Sequence, residues 1–199
     1  MSVTKKMGGA GLRGQSAGET SICTVAVSGS GLTYRGYDVV DLTENTTFEE
    51  VSYLLLHEKL PNSQELKDYI EKLKSLRGLQ PELRNALEGI PKTSHPMDVL
   101  RTGCSVLGNL EQEEDFLNQT DHAERMLSAF PSIINYWYQF SHHGKRIDTE
   151  TDDDTIGGHF LHLLHGKKPS QLHKQVMSVS LILYAEHEFN ASTFAARVC

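Results

Sequence analysis

From Thr47 onward the apolar residues of this chain recur at spacings of three and four, which commits most of its 199 residues to helices that each bury one face. Thr47 and Glu50 form a capping-box pattern, in which each side chain satisfies a free amide at a helix start. Phe48, Val51 and Leu55 then share one face, and a stop is expected near Lys59, before Pro61. Leu66, Tyr69, Ile70, Leu73 and Leu76 repeat the pattern, with Gly78 placed to end it. Pro81 to Glu88 reads as a shorter helix. Met97, Leu100, Cys104 and Leu107 mark another, opened by Ser94-His95-Pro96, because proline costs nothing at a first turn whose amides are unpaired anyway.

A polar connection from Asn109 to Gln119 leads into Met126, Leu127, Phe130, Ile133, Ile134, Trp137 and Tyr138, a broad apolar face that predicts a long helix kinked at Pro131. His142-His143-Gly144 reads as its terminus. Asp152-Asp153-Asp154 precedes a helix over Ile156 to His165, where carboxylates suit the positive end of the dipole. The plain reading of that triplet is a solvated helix start, and a cation site is the alternative. Pro169 or Ser170 starts the last full helix, and Val176 to Tyr184 is apolar nearly all round, which predicts burial inside a large helical protein.

Ahead of the helices, Ile22 to Val27 and Leu32 to Arg35 flank Ser28-Gly29-Ser30-Gly31, a β-hairpin signal because glycine supplies the positive φ of the turn. No other strand is expected. Residues 1–20 are rich in Gly, Ser and Thr without a period and read as an N-terminal arm. The fold class is therefore all-α with a short N-terminal β-hairpin, in one domain.

A net charge of −7 with singly spread Lys and Arg offers no basic stripe for a phosphate backbone, which argues against nucleic acid. Cys23, Cys104 and Cys199 are odd in number and far apart, so they read as reduced thiols of a cytoplasmic protein. The N-terminal residues lack the apolar run of a secretory signal, and no stretch approaches the roughly 18 consecutive apolar residues of a membrane span.

Three patterns could carry chemistry. Gly9-Ala10-Gly11-Leu12-Arg13-Gly14 has the letters of a dinucleotide fingerprint but neither the strand before it nor the helix after it, so a flexible arm carrying one arginine is the better reading. His159, His162 and His165 fall at i, i+3 and i+6 and could share a metal. The spacing matches no zinc motif, however, and packing at a helix interface, with Gly157-Gly158 allowing close approach, explains it as well. Finally, an apolar helix runs into Glu186-His187-Glu188, which is costly if buried unless something pairs with these groups. Were the helix to hold, Tyr184, His187 and Asn190 would offer a phenol, an imidazole and an amide to one small polar ligand. The other reading is a satisfied polar helix end. Asn190 or Ser192 caps a new helix in either case.

Four segments carry a resemblance. Thr33-Tyr34-Arg35-Gly36-Tyr37-Asp38, Ser94 through Gly103, Glu150 through Phe160 and Tyr184 through Thr193 resemble the 2-methylcitrate synthases of the citrate synthase superfamily, over about Leu12 to Cys199. The resemblance implies a cytoplasmic homodimer with a large helical domain and a smaller closing domain. It implies condensation of propionyl-CoA with oxaloacetate and water to 2-methylcitrate and CoA in propionate breakdown, with no bound cofactor and the CoA thioester as substrate. By the same resemblance His187 contacts oxaloacetate, Asn190 and Ser192 support the site, Tyr184 lines the acyl pocket, and Arg13 reaches a CoA phosphate. No metal is implied.

The family's proton-abstracting aspartate, its two catalytic histidines and its carboxylate-binding arginines belong to a C-terminal half whose glycine- and histidine-rich motifs are not found in these residues. Phe194 through Cys199 stop inside an expected helix. The expectation is a truncated chain in which 21–199 form the N-terminal part of the large domain, with no catalytic residue and no activity alone. The alternatives are a citrate synthase using acetyl-CoA, or a non-catalytic helical fragment acting by association.

Overall fold

The computed structural model describes residues 18–25, 31–113 and 118–198. Arg13, the glycine-rich letters around it, most of the expected arm, Ala26-Val27 with the Ser28-Gly29-Ser30 turn, and Cys199 lie outside them. Among the described residues, β1 (Cys23–Val25), β2 (Leu32–Tyr34) and β3 (Tyr37–Asp38) form an antiparallel sheet in sequence order. Cys23 pairs with Tyr34 and Tyr34 in turn with Tyr37. The expected hairpin is present, and β3 is an addition.

Nine helices follow among the described residues. First is α1 (Val39–Asn45), which the helical spacing did not suggest. Asp38 starts it by accepting the Val40 amide at 2.8 Å, and Val39 and Leu42 turn inward. Next, α2 (Phe48–His57) carries the capping box complete: Glu50 Oε2 accepts the Thr47 amide at 2.7 Å, and Thr47 Oγ1 accepts the Glu50 amide. After it, α3 (Ser63–Ser75) ends before Gly78, so that glycine is not its stop. The Leu76 amide closes the last turn, and Arg125 caps the departing chain through the carbonyls of Leu76 and Gly78. Pro81 opens α4 (Pro81–Glu88), as its spacing predicts.

His95 caps α5 (Pro96–Leu110). The inward face of α5 is Val99, Gly103 and Leu107 rather than the row through Met97, which is exposed. The expected row shares only Leu107 with it; the close approach of Ile133 to Gly103 turns the neighbouring row inward. That helix, α6 (Gln119–His143), runs through Pro131 without a break and ends at Gly144, whose φ of 65° supplies a left-handed cap. Thr155 caps α7 (Ile156–His165). The chain finishes in α8 (Gln171–Tyr184), capped by Ser170, and α9 (Ala191–Val198).

Two apolar clusters result. One gathers the sheet, α1, α2, α3, Ile156 and Ile182. The other gathers α4, α5 and α6 around Ile133, Tyr136 and Trp137. Helix α7 lies on α6 and on α8, where Gly157 permits the approach: a Cβ there would stand 2.8 Å from Met177 Cβ.

Two expectations are corrected here. Asp153 is not a solvated helix-start residue but a buried one, paired with His162 and Lys174. Helix α8 is not buried all round. Only Ile182 is fully covered, while Leu172, Val176, Leu183 and Tyr184 are exposed, because no described element packs on their side. Among the described residues no helix is long and apolar enough to cross a membrane.

Candidate functional site

The segment from Tyr184 to Ser192 links α8 to α9 at the edge of the sheet. Tyr184 is the last residue of α8 and is 88% exposed. The helix stops there, so the spacing that would stack Tyr184, His187 and Asn190 on one face is absent. Glu188 sits at φ 63° in the link between the two helices, a left-handed conformation that residues with a Cβ adopt at a cost. His187 is exposed, as are Asn190 and Ser192, whereas Glu186 and Glu188 are half-buried. The desolvation cost anticipated for these charges is therefore largely avoided. The turn places them at the surface.

Local hydrogen bonds hold this link. Asn190 donates its amide to the Glu188 carbonyl at 2.8 Å and accepts the Thr193 amide on Oδ1 at 2.9 Å, so of the two candidate caps Asn190 starts α9. The His187 amide donates to Glu186 Oε1 at 2.9 Å. Arg197 of α9 lies over the Phe189 ring at 5.3 Å. Beside them a cleft of about 320 Å³ is lined by Ile22, Glu186, Glu188, Phe189, Thr193 and Arg197. Tyr184, His187, Asn190 and Ser192 are not among its lining residues; the link presents their phenol, imidazole, amide and hydroxyl at the exposed surface instead.

Tyr34 anchors the link from below. Its side chain is fully buried, its hydroxyl donates to the Ile182 carbonyl at 2.8 Å, and it accepts the Glu186 amide at 3.4 Å. The buried Cys23 sulfur lies against the Glu188 backbone, which opposes the rise that burial gives its pKa. Burial raises both groups above their ordinary pKa values, so each keeps its proton at neutral pH. Sequence reading assigned neither residue a role. The period-2 pattern put them on the hairpin but said nothing of a contact some 150 positions away.

A second polar cluster lies beneath α7. His159 is buried, with Nε2 3.0 Å from Ser132 Oγ and Nδ1 3.0 Å from Thr151 Oγ1. Burial first, and then the nearby Arg77 charge, push its pKa down to about 3. His162 Nδ1 meets Asp153 Oδ2 at 2.6 Å, and Lys174 Nζ meets Asp153 Oδ1 at 2.6 Å. Burial alone would raise the Asp153 carboxyl, but hydrogen bonds from Lys174 and His162 outweigh it and hold the group below its usual range. Glu49 Oε1 accepts the Ile156 amide at 2.8 Å, and burial raises its carboxyl. The histidines at i, i+3 and i+6 therefore do not converge on one point. Among the described residues no three His, Cys, Asp or Glu side chains gather as a metal set.

Residues 11–199 match the family model described as citrate synthase, C-terminal domain. The chain belongs to the citrate synthase family. It is 69% identical to the 2-methylcitrate synthase of Shewanella oneidensis over 199 residues, all of this chain and 53% of that protein. Among solved structures, citrate synthase from Thermotoga maritima MSB8 superposes with a TM-score of 0.82 at 33% identity, over 96% of this chain and 50% of that one. A ternary complex of carboxymethyl coenzyme A and oxaloacetate with the Thermoplasma acidophilum citrate synthase gives 0.84 at 25% identity, over 94% and 50%. The citrate synthase fold thus accounts for the helical body and its small sheet. The chain spans about half the length of these relatives.

Proposed function

We propose that this chain is part of a 2-methylcitrate synthase, an acyltransferase that joins propionyl-CoA to oxaloacetate and hydrolyses the resulting thioester to 2-methylcitrate and CoA. The identity of 69% along the whole chain to a relative of that name carries the reading. In it His187 donates to oxaloacetate, where a donor held ready for developing charge is worth most. Asn190 and Ser192 support that contact, and Tyr184 borders the acyl group. The exposure of all four on one link is what such a role requires of a rim completed by further protein. Arg13 is assigned to a CoA phosphate, no cofactor is bound, and the working unit is a cytoplasmic homodimer. Residues 21–199 supply part of the large helical domain in this reading.

The test is release of free thiol from propionyl-CoA and from acetyl-CoA, each with oxaloacetate, by the enzyme that contains this chain. Propionyl-CoA is expected to be the better substrate. A preference for acetyl-CoA sinks the reading in favour of citrate synthase, the name carried by the Thermotoga neighbour. The 199 residues alone are expected to release no thiol from either, since the proton-moving groups implied by the resemblance are not among them. Turnover by the isolated chain overturns that part.

A further inference from the structure

Cys23 and Tyr34 face each other as a registered cross-strand pair, and both are buried, at 2% and 0% exposure. Their polar atoms meet one link. The Tyr34 hydroxyl accepts the Glu186 amide and donates to the Ile182 carbonyl, and the buried Cys23 sulfur sits against the Glu188 backbone. The residue between those two anchored positions is His187, whose own side chain is exposed. A link fixed on either side of one residue leaves that residue's Cα–Cβ direction little freedom. Without the anchors, the left-handed turn at Glu188 is held by contacts within the link itself, from the Asn190 amide, the His187 amide on Glu186 and the Phe189–Arg197 contact.

We propose that the Cys23–Tyr34 pair is a positioning device for His187, fixing the backbone on both sides so that the imidazole stands ready for its ligand. The functional half of this inference rests on the reading of His187 as an oxaloacetate contact. The geometric half does not. Neither side chain touches the exposed rim, so both act through the backbone and are positioning residues rather than catalytic ones. The sheet thereby has a task beyond packing: it is the template on which the His187 turn is set.

Backbone amide exchange in the 199-residue chain tests the geometric half, comparing Tyr34→Phe, Cys23→Ala and Cys23→Ser with the parent. Tyr34→Phe and Cys23→Ala are expected to speed exchange at Glu186 to Glu188 tenfold or more while amides of the α4–α6 core stay as they were. Cys23→Ser, which keeps a side-chain atom in the place of the sulfur, is expected to restore the slow rate at Glu188. Unchanged exchange at these residues in both loosening variants overturns the proposal, and if Tyr34→Phe fails to fold, the Cys23 variants decide.

Calorimetric titration with oxaloacetate of the enzyme that contains this chain, joined by the His187 imidazole signal where that residue is present, tests the functional half. Tyr34→Phe is expected to weaken the response at least fivefold in the parent background and to change nothing further in His187→Ala. An equal loss in both backgrounds marks a general structural effect and refutes positioning. If oxaloacetate leaves the parent's His187 unmoved, the assignment of that histidine falls, and exchange alone decides whether the pair sets the turn.

Discussion

Nε2 of His159 lies 3.0 Å from the Ser132 hydroxyl while Nδ1 lies 3.0 Å from that of Thr151, so one fully buried imidazole joins α6, α7 and the segment between them. Both ring nitrogens are occupied by hydroxyls, which leaves neither of them to a carboxylate that would favour a proton there.

Stability should therefore fall in mild acid. The folded-state pKa of His159 is about 3 against a reference of 6.5, so between those values the unfolded chain binds a proton that the folded chain refuses. The contribution is whole above about pH 6.5 and declines toward pH 3, with a slope of up to about 1.4 kcal/mol per pH unit from this group. Asp153 acts in the same direction in a lower window, below its ordinary 3.8. Urea unfolding at a series of pH values should show His159→Gln less stable at about pH 7.5 but with a shallower decline between about pH 6.5 and 4. Equal slopes in parent and variant would contradict this account.

Gly157→Ala should push α7 from α8. The added carbon meets Met177 Cβ at 2.8 Å, closer than real side chains approach, and a Cβ is not the flexible end of anything. A loss of about 1 to 3 kcal/mol is expected, as for other overpacked contacts. Thermal unfolding measures it, and Met177→Ala, which keeps the clashing Cβ, should recover none of the loss.

Tyr184 gives the opposite pairing of effects. At 88% exposure its replacement by Ala should leave the chain's stability within about 0.5 kcal/mol, as at other exposed positions. In the enzyme that contains the chain, the ratio of propionyl-CoA to acetyl-CoA turnover should change by roughly tenfold, since one methylene in an acyl pocket is worth about 1 to 3 kcal/mol. An unchanged ratio removes Tyr184 from the pocket.

The uncovered side of α8 should make the isolated chain adhesive. Leu172, Val176 and Leu183 fall at i, i+4 and i+11 on that helix and are all exposed. Replacing Val176 and Leu183 together by Glu should lower self-association in sedimentation and reduce binding of an apolar dye, with little change in melting temperature. Unaltered sedimentation would place the adhesive surface elsewhere.

Much of the helical body is legible in the sequence because its signals are local. Pro81 to Glu88, the Thr47–Glu50 box and Gly144 each act within a turn or two of chain. Elements stabilised from outside are not legible in this way. Helix α1 is short and opens with Val39-Val40, residues that favour strands, and it exists through Asp38 and the sheet beneath it. The apolar run of α8 announces burial but cannot name the surface that provides it. Glu49, Arg77, Lys174 and the segment from Asp153 to His162 come from four distant parts of the chain and meet only after the helices that carry or flank them have packed. At the candidate site, Tyr184, His187, Asn190, Ser192 and Tyr34 all lie in segments that carried the resemblance, but nothing local told that Tyr34 and Cys23 would meet the link far along the chain.

The contact of Tyr34 with Glu186 spans 152 positions. During synthesis at about 5 to 20 residues per second, the hairpin would leave the ribosome roughly 8 to 30 s before its partner segment exists. In that interval a thiol and a phenol meant for the interior have only water, or another nascent chain, to meet. Closing a loop of such length carries a large entropic cost that neighbouring helix pairs do not bear. The His187 turn is thus set among the last steps of folding, and a chain can be rich in helix well before its candidate site exists.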